Sequence, residues 1–257
     1  MMISKKVVVI GAGAAGLMAG ATAALYGASV TIIEKNKRVG RKIMITGKGR
    51  CNLANNCDVQ TFINNVPVNG RFLYSAINAF TPEDTIEFFE SKGLKTKTER
   101  GNRVFPASDK SVDVVDTMHD YAVESGCKIV CDTANALILE DGAVIGVKCE
   151  ENTYYADSVI ICCGGKSYPL TGSTGDGYTL AKQAGHTIVP LKPSLVPFTS
   201  GDKQCKDMQG LALKNVALRI VDKNRKKTVY SDFGEMLFTH FGMSGPMILS
   251  ASSHIRD

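Results

Sequence analysis

The sequence predicts an α/β fold with a central parallel sheet, and three observations point to it. An apolar strand at residues 7–10 runs directly into glycines at positions 11, 13 and 16. The next segment, to residue 26, is rich in Ala and Leu, as a helix favours, and leads to an apolar strand that ends at Glu34. Residues 158–163 form a continuous apolar run, which is typical of a parallel strand buried on both faces, and glycines follow it as well.

The first strand–helix–strand unit has the pattern of a dinucleotide site. Gly11 allows a tight turn out of the strand, Gly13 lets the main chain approach a pyrophosphate, and Gly16 lets the helix pack close to the sheet. The phosphates are expected at the helix N-terminus, where free N–H groups favour anions. Glu34 lies about 20 residues further on, where a carboxylate can bind an adenosine ribose, and its charge argues against a 2'-phosphate.

Further helices are predicted from capping and periodicity. One begins at Thr81, because Pro82 and two acidic residues follow this capping residue. Another covers residues 111–124, with apolar residues at helical spacing and His119 on the same side, where we interpret it as a packing or rim residue rather than a catalytic one. A third is expected at residues 178–184.

The second half of the chain has the signals of strands. Strands at 128–131, 136–140, 143–149 and 153–156, with a turn at Asp141-Gly142, predict an antiparallel meander. Prolines from residue 190 indicate a linker, and alternating apolar and polar residues follow it. We therefore expect a nucleotide-binding domain at 1–190, lacking its C-terminal part, and an incomplete β-rich domain at 191–257.

Composition limits the class of protein. The chain has 257 residues, a net charge of +5 and eight cysteines without paired CxxC motifs, so we expect reduced thiols and no metal site. The N-terminus enters a strand at once and no apolar run spans a bilayer, which predicts a soluble cytoplasmic protein without a signal peptide or membrane contact. The excess positive charge is concentrated in residues 203–227. This segment forms either a solvated face or a surface for an anionic partner. This basic segment comprises Lys203, Lys206, Lys214, Arg219, Lys223, Arg225, Lys226 and Lys227.

Residues 38–52 favour FAD over NAD as the dinucleotide. They place five further basic residues and several glycines in a predicted loop where a nicotinamide-binding fold would begin its next helix. Arg41 and Lys42 are candidates to neutralise a pyrophosphate, and N–H groups around residues 47–50 are candidates to face the flavin. The alternative is a flexible basic surface loop.

A second glycine-rich segment covers residues 162–177. Glycines after a buried strand permit close approach of the main chain to a cofactor. This loop is a candidate to cover the reactive side of a flavin, with Ser167, Tyr168 and Thr171 near the substrate. Asp176 has a simpler alternative role as the cap of the next helix.

Six motifs of the sequence support a family assignment when they are taken together. They are Gly11 through Glu34, residues 40–42, 49–52, 103–106, 164–177 and 239–246. With these motifs the chain resembles, along essentially its whole length, the BaiN-like NAD(P)/FAD-dependent oxidoreductases. The resemblance implies a Rossmann-like FAD-binding domain, with a parallel sheet and an antiparallel β-meander, interrupted by a β-rich insert from near residue 190. It also implies that main chain near Ala134 meets the adenine.

Members of that family are longer, and they return to the FAD domain after the insert with another glycine-rich segment. The resemblance thus implies that this chain stops inside the insert, at Asp257, with an incomplete cofactor site. The sequence does not distinguish a fragment from a natural truncation.

The expected function is a cytoplasmic FAD enzyme, with NAD(P)H as a transient reductant, that moves hydride to or from a carbon–carbon bond conjugated to a carbonyl of a small molecule. Catalytic residues and oligomeric state are not assigned. Tyr168 is a candidate proton donor, and Cys51 is a weaker one on the ground that Arg50 lowers its thiol pKa. Three alternatives stay open: an RNA-directed enzyme that reduces a uridine, a cofactor-binding remnant without turnover, and a plain NAD dehydrogenase. Candidate cofactor-binding residues are Gly11, Gly13, Ala14, Ala15, Gly16, Glu34, Lys35, Arg41, Lys42, Gly49, Arg50, Cys51, Asn52, Ala134, Gly164, Gly165, Gly175 and Asp176.

Overall fold

The structure, a computed structural model, describes residues 4–224 and 226–255. The chain divides into two units. The first contains the residues up to Ile63 together with Arg71–Ile188, and the second contains Asn64–Gly70 and the residues from Val189 onward.

The first unit holds the following elements, except that the last residue of its third helix, Asn64, and the first residue of one 3-10 helix, Gly70, are assigned to the second unit. Its strands are β1 (Lys6–Ile10), β2 (Ser29–Glu34), β3 (Ala54–Asn55), β4 (Thr96–Glu99), β5 (Arg103–Pro106), β6 (Lys128–Cys131), β7 (Ala134–Glu140), β8 (Ala143–Cys149), β9 (Thr153–Tyr155) and β10 (Ser158–Ile161). Its helices are α1 (Ala14–Leu25), α2 (Arg41–Ile45), α3 (Val59–Asn64), α4 (Tyr74–Ala79), α5 (Pro82–Ser91), α6 (Ser111–Glu124) and α7 (Asp176–Gln183), and short 3-10 helices cover Thr46–Gly49, Gly70–Leu73 and Pro169–Thr171.

A parallel sheet in the order β10-β1-β2-β6 organises this unit, which confirms the predicted α/β class. Alternate residues of β1 and β2 enter two different cores because successive side chains of a strand point to opposite faces. Val9 and Ile32 pack with α1 and α6 on one face. Val8 and Ile33 pack on the other face with α7 and the antiparallel sheet β7-β8-β9, which contains three of the four strands of the predicted meander.

Local signals place several elements as predicted. Thr81 forms a capping box with Asp84 at the start of α5, since each side chain bonds the other residue's N–H. Asp141 and Gly142 both have positive φ, of 49° and 78°, as the tight turn between β7 and β8 requires. The helix predicted at 111–124 is α6 with the same bounds.

Three predictions from the sequence are wrong. Residues 128–131 do not join the antiparallel meander but form β6, which pairs with β2 in the parallel sheet. Residues 41–45 form helix α2 rather than a loop, because α2 buries Ile43 and packs against α6, where the Ser111 hydroxyl donates to the Met44 carbonyl at 2.9 Å. Strand β10 packs on both faces, with Ile160 against one core and Val159 and Ile161 against the other, but it is less buried than predicted. It is the outermost strand of its sheet in the described chain, so Val159, Ile160 and Ile161 are only half-buried.

The second unit is largely antiparallel. It contains β11 (Phe198–Thr199), α8 (Lys203–Asp207), β12 (Ala212–Asp222), β13 (Lys227–Thr239), β14 (Gly242–Ser244) and α9 (Pro246–Ser252). The sheet has the order β11-β14-β13-β12, and its small core includes Met236, Met247 and Ile248. The residues of the basic segment are exposed in this unit, except that Arg225 lies outside the described residues. Across residues 4–224 and 226–255, none of the helices has the length and apolar character needed to cross a bilayer.

Candidate nucleotide-binding site

A cavity of about 850 Å³ lies at the carboxyl ends of β1, β2, β6 and β10 in the first unit. This is the end of an open parallel sheet at which α/β proteins bind ligands, and the volume suits an organic ligand. Main chain from the turn before α1 forms one side, and the segments that follow β6 and β10 form others. The wall is completed by apolar side chains, among them Met18, Phe89, Val114 and Met118.

The three glycines of the predicted dinucleotide pattern, Gly11, Gly13 and Gly16, differ in what surrounds them. A Cβ on Gly11, whose φ is +100°, would lie 2.6 Å from the Cys162 carbonyl oxygen, and one on Gly16 would overlap the Gly11 carbonyl oxygen. Gly11 and Gly16 are therefore required by the packing of the protein itself. A Cβ on Gly13 would have no protein atom within 4 Å, so Gly13 leaves space where main chain lines the cavity.

Helix α1 begins at this cavity with main-chain donors. Gly13 is its N-cap residue and supplies no side-chain cap, and the first turn has no acidic residue. The first N–H groups of a helix have no partner within the helix, so those of Ala14 and Ala15 are available to an anion. Both residues line the cavity.

Glu34, at the end of β2, places a buried carboxylate in the cavity wall and is only 9 % exposed. Its Oε2 accepts from the Ala12 N–H at 2.8 Å, and its Oε1 accepts from the main-chain and side-chain nitrogens of Asn36 at 2.9 and 2.6 Å. A carboxylate has about four acceptor sites, so these three bonds leave room for a ligand hydroxyl.

Two lysines after β2 connect this edge to the segment that follows β10. The Lys35 ammonium donates to Asp176 at 2.6 Å and to Thr174 at 2.8 Å, and the Lys42 ammonium donates to the Ser167 hydroxyl at 3.0 Å. Burial alone would raise the pKa of Asp176, but the bonds from Lys35 and Thr174 lower it below its ordinary value. Asp176 is the first residue of α7, and Gly175 is the N-cap residue, so Asp176 is not the cap.

Arg50 points to the small sheet β3-β5-β4. Its guanidinium donates to Glu99 at 2.8 and 3.2 Å and to Asp109 at 3.1 Å, and it lies 4.0 Å above the centre of the Phe105 ring. Burial raises the pKa of the neighbouring Cys51 thiol, although a bond with Thr46 acts in the opposite direction. The prediction that Arg50 lowers this pKa is therefore wrong, because the charge of Arg50 is bonded to two carboxylates.

A family model named HI0933-like protein Rossmann domain matches residues 5–251. The chain belongs to this family. The membership confirms the resemblance predicted from the motifs. Among relatives, a 3-dehydro-bile acid delta(4,6)-reductase of Clostridium scindens is 32% identical over 96% of this chain and 59% of its own length. Ribosomal RNA dihydrouridine synthases of Escherichia coli and Haemophilus influenzae are each 30% identical over 96% of this chain and over 60% and 61% of their own lengths.

The chain thus spans about three fifths of the length of the curated relatives it matches. Solved structures share the fold at lower identity. A flavocytochrome c3 fumarate reductase in its open conformation matches with a TM-score of 0.57 at 19% identity, over 83% of this chain and 47% of the other. Mycobacterium smegmatis Sdh1 in complex with UQ1 matches with a TM-score of 0.52 at 20% identity, over 71% of this chain and 38% of the other.

Most candidate residues of this HI0933-like chain line the cavity, and some do not. Those in the lining are Gly11, Gly13, Ala14, Ala15, Glu34, Lys35, Arg41, Lys42, Cys51, Asn52, Ala134, Gly164 and Asp176. Gly16, Gly49, Arg50, Gly165 and Gly175 are outside it, as is His119, which is half-exposed and bonds Asp120. Of the residues considered for substrate contact, Thr171 lines the cavity, whereas Ser167 does not, and Tyr168 is 68% exposed and also outside the lining.

Two groups of cavity residues were not predicted from the sequence. The apolar wall from α5 and α6 depends on how these helices pack, which local patterns do not give. Asp132 and Thr133 could have been predicted from their position. They directly follow a strand of the parallel sheet, at the edge where ligands bind.

Proposed function

We propose that this chain binds FAD in the cavity of the first unit. In this proposal Glu34 binds the adenosine ribose, the N-terminus of α1 binds the pyrophosphate, and main chain near Ala134 meets the adenine. The single observation that carries it is that one cavity contains both an uncapped helix N-terminus and a buried carboxylate with acceptor capacity left. Two basic candidates in the lining, Arg41 and Lys42, provide positive charge for an anionic cofactor, whereas the charge of Lys35 is paired with Asp176.

We further propose an NAD(P)H-linked oxidoreductase acting on a carbon–carbon bond conjugated to a carbonyl. Bound FAD would supply the hydride transfer, and the nicotinamide nucleotide would visit it transiently. The names of the relatives support this reaction type, since both an oxo bile acid diene and uridine contain a double bond next to a carbonyl. The contribution of this chain is to orient the cofactor and, through the apolar wall, to exclude water from the buried part of the cavity.

Residues 1–190 are the cofactor domain in this proposal, and 191–257 are an incomplete β-rich insert or substrate domain. The separation of the chain into units near residue 188 supports this assignment. No catalytic acid is assigned.

An RNA-directed version of the reaction is the second candidate. The observation in its favour is the name of two relatives, ribosomal RNA dihydrouridine synthase, together with exposed lysines on and beside β12 and β13. RNA binding that weakens steeply with salt would support it, and binding indifferent to salt would count against it.

The test is anaerobic reduction of the FAD-loaded chain. We expect NADH or NADPH to bleach the yellow absorbance, and an oxo bile acid with a conjugated double bond to restore it. If FAD binds and neither nucleotide bleaches it, the chain is a binding remnant rather than an oxidoreductase. A purified protein that does not take up FAD but turns over NAD would instead favour the plain dehydrogenase.

A further inference from the structure

We infer that Asp132 is a positioning residue that holds the main chain of Thr133 and Ala134 at the adenosine end of the cavity, and so selects a dinucleotide over FMN. This inference rests on the proposed function. It concerns a residue to which the sequence analysis gave no role.

Asp132 is a buried carboxylate surrounded by donors. It follows β6 directly and is 5% exposed. Its Oδ1 accepts from the N–H groups of Thr133 at 2.8 Å and Glu151 at 3.2 Å. Its Oδ2 accepts from the main-chain and side-chain nitrogens of Asn152 at 3.1 and 3.3 Å. All four partners donate, so an ionised carboxylate is the side chain that satisfies them.

These bonds join two separate parts of the chain. Glu151 and Asn152 belong to the turn between β8 and β9, whereas Thr133 and Ala134 line the cavity. The Glu150 N–H also donates to the Thr133 carbonyl at 3.0 Å. The turn therefore fixes the segment that lines the cavity, and Asp132 supplies most of the bonds that hold the two together.

The same segment is linked to Glu34, the residue proposed to bind the adenosine ribose. The Asp132 N–H donates to the Glu34 carbonyl at 3.0 Å, so the two acidic residues lie on neighbouring strand ends of one sheet. Burial alone would raise the pKa of Asp132, but the bonds from Glu151, Thr133 and Asn152 lower it below its ordinary value. Asp132 thus stays ionised, as an acceptor of four bonds, at neutral pH.

The test uses Asp132→Asn in the full chain, because the Asn amide would turn an NH2 group toward N–H donors. Affinities for FAD, ADP and FMN are measured by titration. We expect FAD and ADP to bind about tenfold more weakly or worse, by a similar factor, since buried donors lose their acceptor. FMN, which has no adenosine, should bind as it does to the unchanged chain.

The matched control is Asp157→Asn. Asp157 also accepts a main-chain bond, from Lys6 at 2.7 Å, but at the opposite end of β1. It should leave all three affinities unchanged. Hydrogen exchange on the unchanged chain gives a second measurement if Asp132→Asn does not fold, and here ADP but not FMN should protect residues 132–134 and 150–152.

The outcomes separate the two proposals. Equal weakening of FAD and FMN, unchanged FAD affinity, or equal protection by ADP and FMN overturns the role of Asp132 alone. Failure of the unchanged chain to bind FAD and ADP overturns the proposed function and, with it, this inference.

Discussion

The carboxylate of Glu34 accepts a hydrogen bond from the main-chain N–H of Ala12 at 2.8 Å. This bond ties the end of β2 to the turn between β1 and α1, the same turn that carries Gly11 and Gly13. Glu34 therefore shapes the turn as well as facing the cavity. Its side chain is ordered by the protein before any ligand is bound, which reduces the entropy lost on binding.

Glu34→Gln should weaken FAD binding. The Gln amide retains one acceptor but turns its NH2 group toward N–H donors of Ala12 or Asn36. We expect a loss of about tenfold to a hundredfold in FAD affinity, roughly 1–3 kcal/mol, measured by flavin fluorescence titration. Glu90→Gln, the same change at an exposed residue of α5, is the control and should bind FAD normally. Equal affinities of the two variants would contradict the assigned role of Glu34.

Gly13→Ala and Gly16→Ala should separate binding from folding. The added methyl at Gly13 meets no protein atom within 4 Å, so the variant should fold, with a Tm within a few degrees of the unchanged chain, and bind FAD at least about tenfold more weakly. The methyl at Gly16 would overlap the Gly11 carbonyl and should destabilise the protein by about 1–3 kcal/mol or prevent folding. Thermal melts and FAD titrations measure both. Unchanged FAD affinity in Gly13→Ala would contradict the placement of the pyrophosphate beside Gly13.

The Arg50 network should make stability depend on acid pH. Bonds from Arg50 lower the pKa of Glu99 below 4.5, and bonds from Lys97 lower the pKa of Asp109 below 3.8. A carboxyl with a lowered pKa stabilises the folded state above its unfolded pKa, and this stabilisation is lost as the pH falls through the folded value.

Glu99→Gln should therefore lower the Tm at neutral pH and flatten its fall below about pH 4.5. Melts across the acid range check this, and the exposed Glu87→Gln serves as control. A variant whose Tm follows the unchanged chain at every pH would show that the network contributes nothing.

Thiol reactivity should follow burial. Burial raises the pKa of Cys149 and of Cys163 to about 11, whereas Cys131 is exposed. Since the thiolate is the reactive form, alkylation near pH 8 should label Cys131 at least about a hundredfold faster than Cys163. Mass spectrometry at timed intervals measures the rates, and unfolding in urea should bring all the cysteines to similar rates. Labelling of Cys163 as fast as Cys131 would contradict the raised pKa of the Cys163 thiol.

The sequence predicted the parts of the site that depend on neighbouring residues. The turn at Gly11, the start of α1 and the end of β2 at Glu34 are set by local backbone requirements, and the structure has them where expected. The start of α5 outside the site was predictable for the same reason, because the capping partner of Thr81, Asp84, is only three residues away.

What the sequence did not predict depends on distant partners. Arg50 bonds Glu99 and Asp109, which are 49 and 59 residues away. The residues next to Arg50 in the sequence therefore do not indicate that it lies outside the cavity lining. Asp132 is bonded by main-chain donors 19 and 20 residues further on, and main-chain groups leave no pattern of residue types. The exposure of β10 depends on its place at the edge of the sheet, which the apolar run of residues does not specify.

FAD binding is tested most directly by titrating the protein with FAD, followed by gel filtration and a visible spectrum. We expect the protein to retain the yellow cofactor at one equivalent, and Gly13→Ala and Glu34→Gln to retain much less, while Glu90→Gln retains it fully. A folded chain that emerges colourless, or variants that keep FAD as well as the unchanged chain, would contradict the proposed FAD site.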